Sequence, residues 1–359
     1  MSEVPVLVTG AGGFIGGRIV EIMHASGAFR ARAGVRRWST AAQVGRLPVE
    51  IVHCEVLDPA SLTAAMAGMR AVVHCAVGNR KVTIEGTRNV LAAARDAGVE
   101  RVIHISTIDV YGGADGEVTE RTPLLETGAE YGDSKIQAEG ICREFQAAGL
   151  PVTILRPTIV YGPASALWTI EFAERLQAGS WMLPESDTSG TCNLVYVDDV
   201  ASAVLQALRR PEPINEAFNV NGPDSVTWFQ YFAALNKAMG LPALAPASRA
   251  RSHAVAAVML PVRKSAKWAL KKFPNLVMGL YQRSALAKKL MKGAEGAIKQ
   301  SPTAGEFRLY SLTSTYPADK ARELLGYAPA FSMSEGIDLS VRWLAHNGYV
   351  KNRSDSGHS

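Results

Sequence analysis

The segment Thr9-Gly10-Ala11-Gly12-Gly13-Phe14-Ile15-Gly16 constrains this chain more than any other. It follows the β-branched run Val4–Thr9, which reads as a strand, and opens Phe14–Ser26, which reads as a helix. Glycines at 10, 13 and 16 let the chain turn sharply. They also bring backbone N–H groups and the positive end of a helix dipole toward a diphosphate. A glycine triplet alone is a weak signal, but at the first strand-to-helix turn of a βαβ series it points to a dinucleotide. Gly10, Gly13, Phe14, Ile15 and Gly16 are the expected contacts.

The series continues along the chain. Ala31–Arg36, Ile51–Glu55, Ala71–Ala76, Arg101–Ser106 and Pro151–Arg156 read as strands. Ser61–Ala67, Thr87–Ala97 and Tyr131–Ala148 read as helices, with Gly98 and Gly149 placed as C-caps. Strands spaced by helices imply a parallel sheet covered on both faces, a doubly wound α/β fold. After Gly162 the alternation loosens. Asp198–Leu208, Thr227–Met239, Asp319–Leu325 and Ser334–His346 suggest helices, Ala217–Val220 a strand, and Leu241–Ala247 a linker. The expected organisation is a dinucleotide domain over 1–162 that also receives parts of 190–225. A smaller, mixed substrate domain over 163–350 and a disordered tail over 351–359 follow.

Composition narrows the classes. Of 359 residues, 47% are hydrophobic and 20% charged, ordinary for a globular enzyme. The longest uncharged apolar run, Ala254–Val262, is far too short to span a bilayer. A strand starts almost at the N-terminus, leaving no secretory signal, and a cytoplasmic location is expected. Cys54, Cys75, Cys142 and Cys192 form no CxxC pair, so neither a metal site nor a disulfide framework is expected. Charge is uneven. Residues 249–299 hold twelve of the 38 Lys and Arg but one of the 33 acids, Glu295, leaving 26 basic and 32 acidic residues elsewhere.

Three features carry chemistry. Strand two ends in Arg36-Arg37, where an NAD site usually places an acid for the ribose 2′-hydroxyl. Arginines there suit the 2′-phosphate of NADP(H), which is favoured over NAD(H), although two loop arginines could equally be solvated. Tyr131 and Lys135 stand at i and i+4, one turn apart on one helix face. An ammonium near a phenol lowers the phenol's pKa and prepares it to exchange a proton. Ser106 and Thr107 end a strand at the carboxyl edge of the sheet, where a hydroxyl could hold a reacting oxygen.

With these residues in place, the chain resembles the extended short-chain dehydrogenase/reductase family. That family includes nucleotide-sugar epimerases, sugar dehydratases, hydroxysteroid dehydrogenases and dihydroflavonol-type reductases. The likeness rests on TGAGGFIG at 9–16, VVHCA at 72–76, EGTRNVL at 85–91, ISTIDVYG at 105–112 and YGDSK at 131–135. It continues through LRPTIVYGP at 155–163, YVDDVASA at 196–203 and ARELLGYAP at 321–329.

The resemblance implies a Rossmann-type sheet, with Tyr131 as acid/base, Lys135 on the nicotinamide ribose, and Thr107 on the reacting oxygen with Ser106 as second choice. It places Glu55 and Val56 at adenine, Ala76 and Val77 under the cofactor, and Pro157 and Ile159 beside the nicotinamide. It also implies a homodimer through the helices starting near Thr87 and Tyr131, with Val90, Leu91, Ile136 and Ile141 on the shared surface. Departures from the pattern matter as well. The loop after Ala76 is short, Thr83 stands where asparagine is common, and Ile108-Asp109 lacks the aspartate that dehydration needs.

Substrate contacts are expected from Thr83, Trp168, Asn193 and Tyr196, with packing roles open for the last three. Two basic amphipathic helices are expected in 249–299, the first started, kinked or broken by Pro261 and the second carrying Leu276, Leu280, Leu286, Leu290 and Met291. They suit either peripheral contact with an anionic membrane or a solvated cover. The function implied is NAD(P)-dependent hydride transfer on a secondary alcohol or ketone of a small molecule. A nucleotide sugar is the first choice, and a lipophilic sterol- or polyprenoid-like alcohol the alternative. A non-catalytic nucleotide-binding protein is a third reading, and no nucleic-acid partner is expected.

Overall fold

The computed structural model describes residues 3–272, except 180 and 246, and residues 302–350. The expected second basic helix, residues 276–291, and the tail 351–359 lie outside the described residues. The chain divides into two compact units. One comprises Met1–Ser165, Asn193–Asp224 and Ser314–Gly336; the other comprises Ala166–Cys192, Ser225–Thr313 and Ile337–Ser359.

The first unit is built on a seven-stranded sheet. Its strands are β1 (Val4–Thr9), β2 (Phe29–Val35), β3 (Glu50–His53), β4 (Ala71–His74), β5 (Arg101–Ile105), β6 (Val152–Pro157) and β10 (Ala217–Val220). They lie in the order β10-β6-β5-β4-β1-β2-β3, and every pairing is parallel. The strand order reverses between β1 and β4, so a crevice opens at their carboxyl ends.

Helices cover both faces, as a sheet of near-continuous Val, Ile and Leu requires. On one face α2 (Pro59–Met66), α3 (Arg80–Asp96) and α4 (Glu130–Ala147) bury Leu62, Val90, Leu91, Ile141 and Phe145 against Leu7, Val72, Val102 and Val152. On the other, α1 (Phe14–Ser26) packs against α6 (Val197–Arg209), joined by Arg18 Nε to Asp198 at 2.6 Å. A short parallel pair, β7 (Ile159–Tyr161) with β9 (Leu194–Tyr196), lies beside the main sheet.

In the second unit α5 (Glu171–Gln177), α7 (Trp228–Ala238) and α9 (Ala304–Ser311) enclose an aromatic core of Phe172, Trp228, Tyr231, Phe232 and Tyr310. The strands β8 (Thr191–Cys192) and β11 (Val226–Thr227) pair antiparallel. Helix α10 (Asp319–Leu325) belongs to the first unit, and α11 (Met333–His346) begins there and ends in the second.

Two expectations need correction, and a third is narrowed. Helix α3 begins at Arg80 rather than Thr87, because Asn79 caps it by accepting the Val82 N–H at 3.0 Å. Val90, Leu91 and Ile141 are buried in the sheet-facing core and have no surface to offer a dimer partner. Pro261 lies inside α8 (Arg249–Lys272) and neither starts nor ends it. Among the described residues, no helix is long and apolar enough to cross a membrane.

Candidate active site

The glycine loop is held tightly. Gly10 has φ +70°, and a Cβ there would lie 2.8 Å from the Ala76 nitrogen. Only glycine satisfies both the left-handed turn and this approach of β1 to β4. Gly16 faces the same turn from the helix, where a Cβ would meet the Gly10 carbonyl oxygen at 2.5 Å. Helix α1 starts on Gly13 without a side-chain cap, which leaves its first-turn N–H groups to an anionic ligand.

A cavity of about 240 Å³ opens beside this loop. It brings together the expected Gly10, Gly13, Arg36, Arg37, Glu55, Val56, Ala76 and Val77, and adds Gly12, Thr40, Cys54, Cys75 and Val82. Arg36 and Arg37 are exposed on its wall, with no ion-pair partner among the described residues. Thr40, in the short turn Trp38–Thr40 after the arginines, carried no periodic signal in the sequence. Phe14, Ile15 and Gly16 support the loop from α1 without lining the cavity, and neither Pro157 nor Ile159, at the end of β6 and start of β7, lines it. The tight glycine turn, the uncapped helix and the basic rim together fit a dinucleotide's diphosphate and adenosine end.

The proton-transfer candidates stand on neighbouring elements. Thr107 follows β5 and begins the turn Ile108–Tyr111, its Oγ1 accepting the Asp109 N–H at 3.2 Å. Tyr131 and Lys135 lie on α4. The Thr107 hydroxyl acts on the Tyr131 phenol, so these two groups do converge. Tyr131 is 46% exposed, yet its hydroxyl is partly desolvated. That desolvation, reinforced by the Asp109 carboxylate, pushes the phenol up to about 12, with the Thr107 hydroxyl opposing.

The expected lowering of the phenol by Lys135 is therefore not the arrangement found. Lys135 is buried and its Nζ donates to the Ile105 carbonyl at 2.7 Å, which holds the amine on the strand. Burial brings Lys135 down to about 8. Ser106, the second-choice hydroxyl, is committed elsewhere, since its Oγ donates to Glu139 Oε1 at 2.7 Å.

Each expected substrate residue has contacts of its own. Thr83 is buried in the first turn of α3, its hydroxyl on the Gly78 backbone. Asn193 is buried with its amide on the Ser314 carbonyl at 2.9 Å. Tyr196 is buried, its ring 4.6 Å from Phe331 and 5.5 Å from Tyr161. Trp168 belongs to the second unit and packs on Phe172 and Trp228. Asp109, whose carboxyl is raised by burial, acts on the Tyr131 phenol, and only its place two residues after Thr107 hinted at this.

Comparison with known proteins gives a consistent placement. The model of the NAD dependent epimerase/dehydratase family matches residues 6–221. The 3beta-hydroxysteroid-dehydrogenase/decarboxylase isoform 2 of Arabidopsis thaliana is 22% identical over 321 residues, 83% of this chain, and the chain spans about half (52%) of that protein's length. The N-acetyl-alpha-D-glucosaminyl-diphospho-ditrans,octacis-undecaprenol 4-epimerase of Escherichia coli O157:H7 is 29% identical over 234 residues, 61% of this chain and 68% of that protein. The solved UDP-glucuronic acid 4-epimerase of Bacillus cereus, in complex with NAD, shares the fold with a TM-score of 0.69 at 18% identity, covering 96% of this chain and 97% of that one. The family match takes in all seven strands of the main sheet but for the first two residues of β1, with the glycine loop and the Thr107–Tyr131–Lys135 set, and the chain belongs to the NAD dependent epimerase/dehydratase family.

Proposed function

We propose that this protein is an oxidoreductase or epimerase that moves a hydride between a nicotinamide and a secondary alcohol or ketone, with Tyr131 as acid/base. The observation that carries this reading is the meeting of the Tyr131 and Thr107 hydroxyls at the carboxyl edge of the sheet that bears the dinucleotide cavity. A bound nicotinamide would supply or accept the hydride. Gly10, Gly13 and the start of α1 would hold the diphosphate, Glu55 and Val56 the adenine, and Lys135 the nicotinamide ribose. Thr107 Oγ1 and Tyr131 Oη would hold the substrate oxygen. In reduction, Tyr131 Oη gives its proton to that oxygen; in oxidation it takes the proton back. A phenol raised to about 12 is protonated at neutral pH, which suits the reductive direction.

NADP(H) is the proposed cofactor, supported by Arg36 and Arg37 on the cavity wall. NAD(H), bound in the Bacillus cereus epimerase, is the alternative. A nucleotide sugar or other diphosphate-linked sugar is the proposed substrate, in line with the two 4-epimerases.

The second reading, a lipophilic alcohol or ketone, is favoured by α8, which exposes Val258 (66%) and Leu260 (50%) within the strongly basic segment. Such a helix suits peripheral contact with an anionic membrane from the cytoplasmic side. Assembly as a homodimer would use the outer faces of α3 and α4. Tyr131→Phe tests the central claim. It should preserve nucleotide binding and lower turnover at least about 100-fold. A variant with near-wild-type turnover would refute it.

A further inference from the structure

Glu139 is fully buried on α4, one helical turn beyond Lys135 and two beyond Tyr131. Its Oε1 accepts from Ser106 Oγ at 2.7 Å and from Arg156 Nε at 2.9 Å, and its Oε2 accepts from Arg156 Nη2 at 2.5 Å. Arg156, also fully buried on β6, donates onward to Tyr111 Oη at 2.8 Å, and Tyr111 donates to Asn219 Oδ1 on β10 at 2.7 Å. One carboxylate thus ties α4 to the end of β5, directly before Thr107, and to β6. A buried ion pair rarely stabilises more than apolar residues of the same volume would, so its position calls for another account.

We propose that Glu139 is a positioning residue for the Thr107–Tyr131–Lys135 set. It locks the strand end that carries Thr107 to the helix that carries Tyr131 and Lys135, and it stands one helical turn from Lys135. This inference rests on the catalytic reading above.

The groups acting on Lys135 come from three elements: Cys142 and Glu139 from α4, His74 and Cys75 at the end of β4, and His104 from β5. Burial pushes Cys75 up to about 12 and Cys142 up further; it holds His74 down to about 3 and His104 well below its ordinary range. All four are neutral near pH 8. Glu139 is the remaining member, and its carboxylate opposes the lowering that burial imposes on Lys135. Its other cationic neighbour, the half-exposed Arg143, stands 3.7 Å away.

Glu139→Gln alone would strand the Arg156 charge, so the principal variant is the double Glu139→Gln/Arg156→Gln, which keeps an amide pair in the same place. Lysine labelled with ¹³C at Cε, with the Lys135 signal assigned through Lys135→Met, reads the titration on the protein without ligand. The Lys135 midpoint, near about 8 in the wild type, should fall in the double variant. Its kcat should drop about tenfold or more, since a small misplacement of reacting groups costs that much, while KM stays near the wild-type value. A role confined to stability would lower the melting temperature and leave the midpoint where it was.

Ser106→Ala, which leaves no buried charge, supplies a second arm. It should reduce kcat without moving the Lys135 midpoint. A folded double variant with an unchanged midpoint or unchanged kcat overturns the proposal, as does a Ser106→Ala protein with wild-type kcat. The titration needs no turnover, so its failure is separable from failure of the catalytic reading, which Tyr131→Phe reports.

Discussion

Gly16 and Gly17 are adjacent in α1, both buried, and differ in one respect that alanine exposes. A Cβ on Gly16 would sit 2.5 Å from the Gly10 oxygen and 2.9 Å from its carbon, both backbone atoms at the sharpest point of the loop. A Cβ on Gly17 would meet the Ala11 oxygen at 3.1 Å and the flexible end of Gln43 at 3.3 Å. Both substitutions gain up to about 1 kcal/mol of helix propensity. At Gly16, forced overpacking costs about 1–3 kcal/mol, so the net loss reaches about 2 kcal/mol. At Gly17 the two effects nearly cancel. The larger consequence concerns the ligand. Displacing Gly10 disturbs its contact with Ala76 and the cavity wall, and dinucleotide affinity should fall by about tenfold or more, equivalent to about 1.4 kcal/mol. Urea unfolding and quenching of tryptophan fluorescence by NADPH or NADH measure the two quantities. A Gly16→Ala protein that binds like the wild type, or a Gly17→Ala protein that loses as much, would refute the reasoning.

Three further outcomes are expected. Asp199 is buried, accepts the Ala330 and Phe331 N–H groups at 2.7 and 3.4 Å, and is raised from 3.8 to about 6 by burial. A raised carboxyl stabilises the fold below pH 3.8 and loses that contribution as pH climbs through 6. Asp199→Asn should therefore remove up to about 2 kcal/mol of pH dependence between pH 4.5 and 7.5, measured by urea unfolding at those two values. Arg36→Glu should weaken NADP(H) at least about tenfold and leave NAD(H) nearly unchanged, because a 2′-phosphate gains a charge-assisted bond that a hydroxyl lacks; equal losses for both would count against the cofactor proposal. The protein should sediment with anionic vesicles at low salt and be released at high salt, at about 1 kcal/mol per engaged Lys or Arg. Replacing Lys267, Lys271, Lys272, Lys288 and Lys289 with glutamine should abolish this, and indifference of the wild type to anionic vesicles would remove the support for a lipid substrate.

Much of the first unit was legible because its signals are local. The run Val4–Thr9, the glycine loop and the helix Phe14–Ser26 appear at the residues where the sequence placed them, and so do Ala217–Val220 and Asp319–Leu325. The start of α3 was missed because its first two turns mix exposed Arg80, Lys81 and Glu85 with buried Thr83 and Gly86, and the Asn79 cap was the informative residue. The pair β7–β9 was missed because three-residue strands owe their existence to a partner more than thirty residues away. At the site, spacing correctly put Tyr131 and Lys135 on one helix but could not say where the lysine's amine would point. It reaches the Ile105 carbonyl, and the phenol is raised rather than lowered. Thr40 and Cys75 reach the cavity through tertiary folding alone.

The first unit is assembled from three stretches of chain, the last ending at Gly336. Its edge strand β10 pairs with β6 from some sixty residues downstream, and Tyr327 closes onto the Asn221 carbonyl at 2.9 Å. On a ribosome making about 5–20 residues per second, roughly 170 residues separate the end of the first stretch from the end of the third, a wait on the order of ten seconds or more. Through the first part of that wait the hydrogen-bonding edge of β6 has no strand to cover it, and an uncovered edge is where chains join wrongly. The nascent protein is therefore most exposed to misassembly between synthesis of β6 and arrival of β10. A chaperone that shields that edge, or slow codons placed after β10 rather than before it, should raise the yield of folded protein.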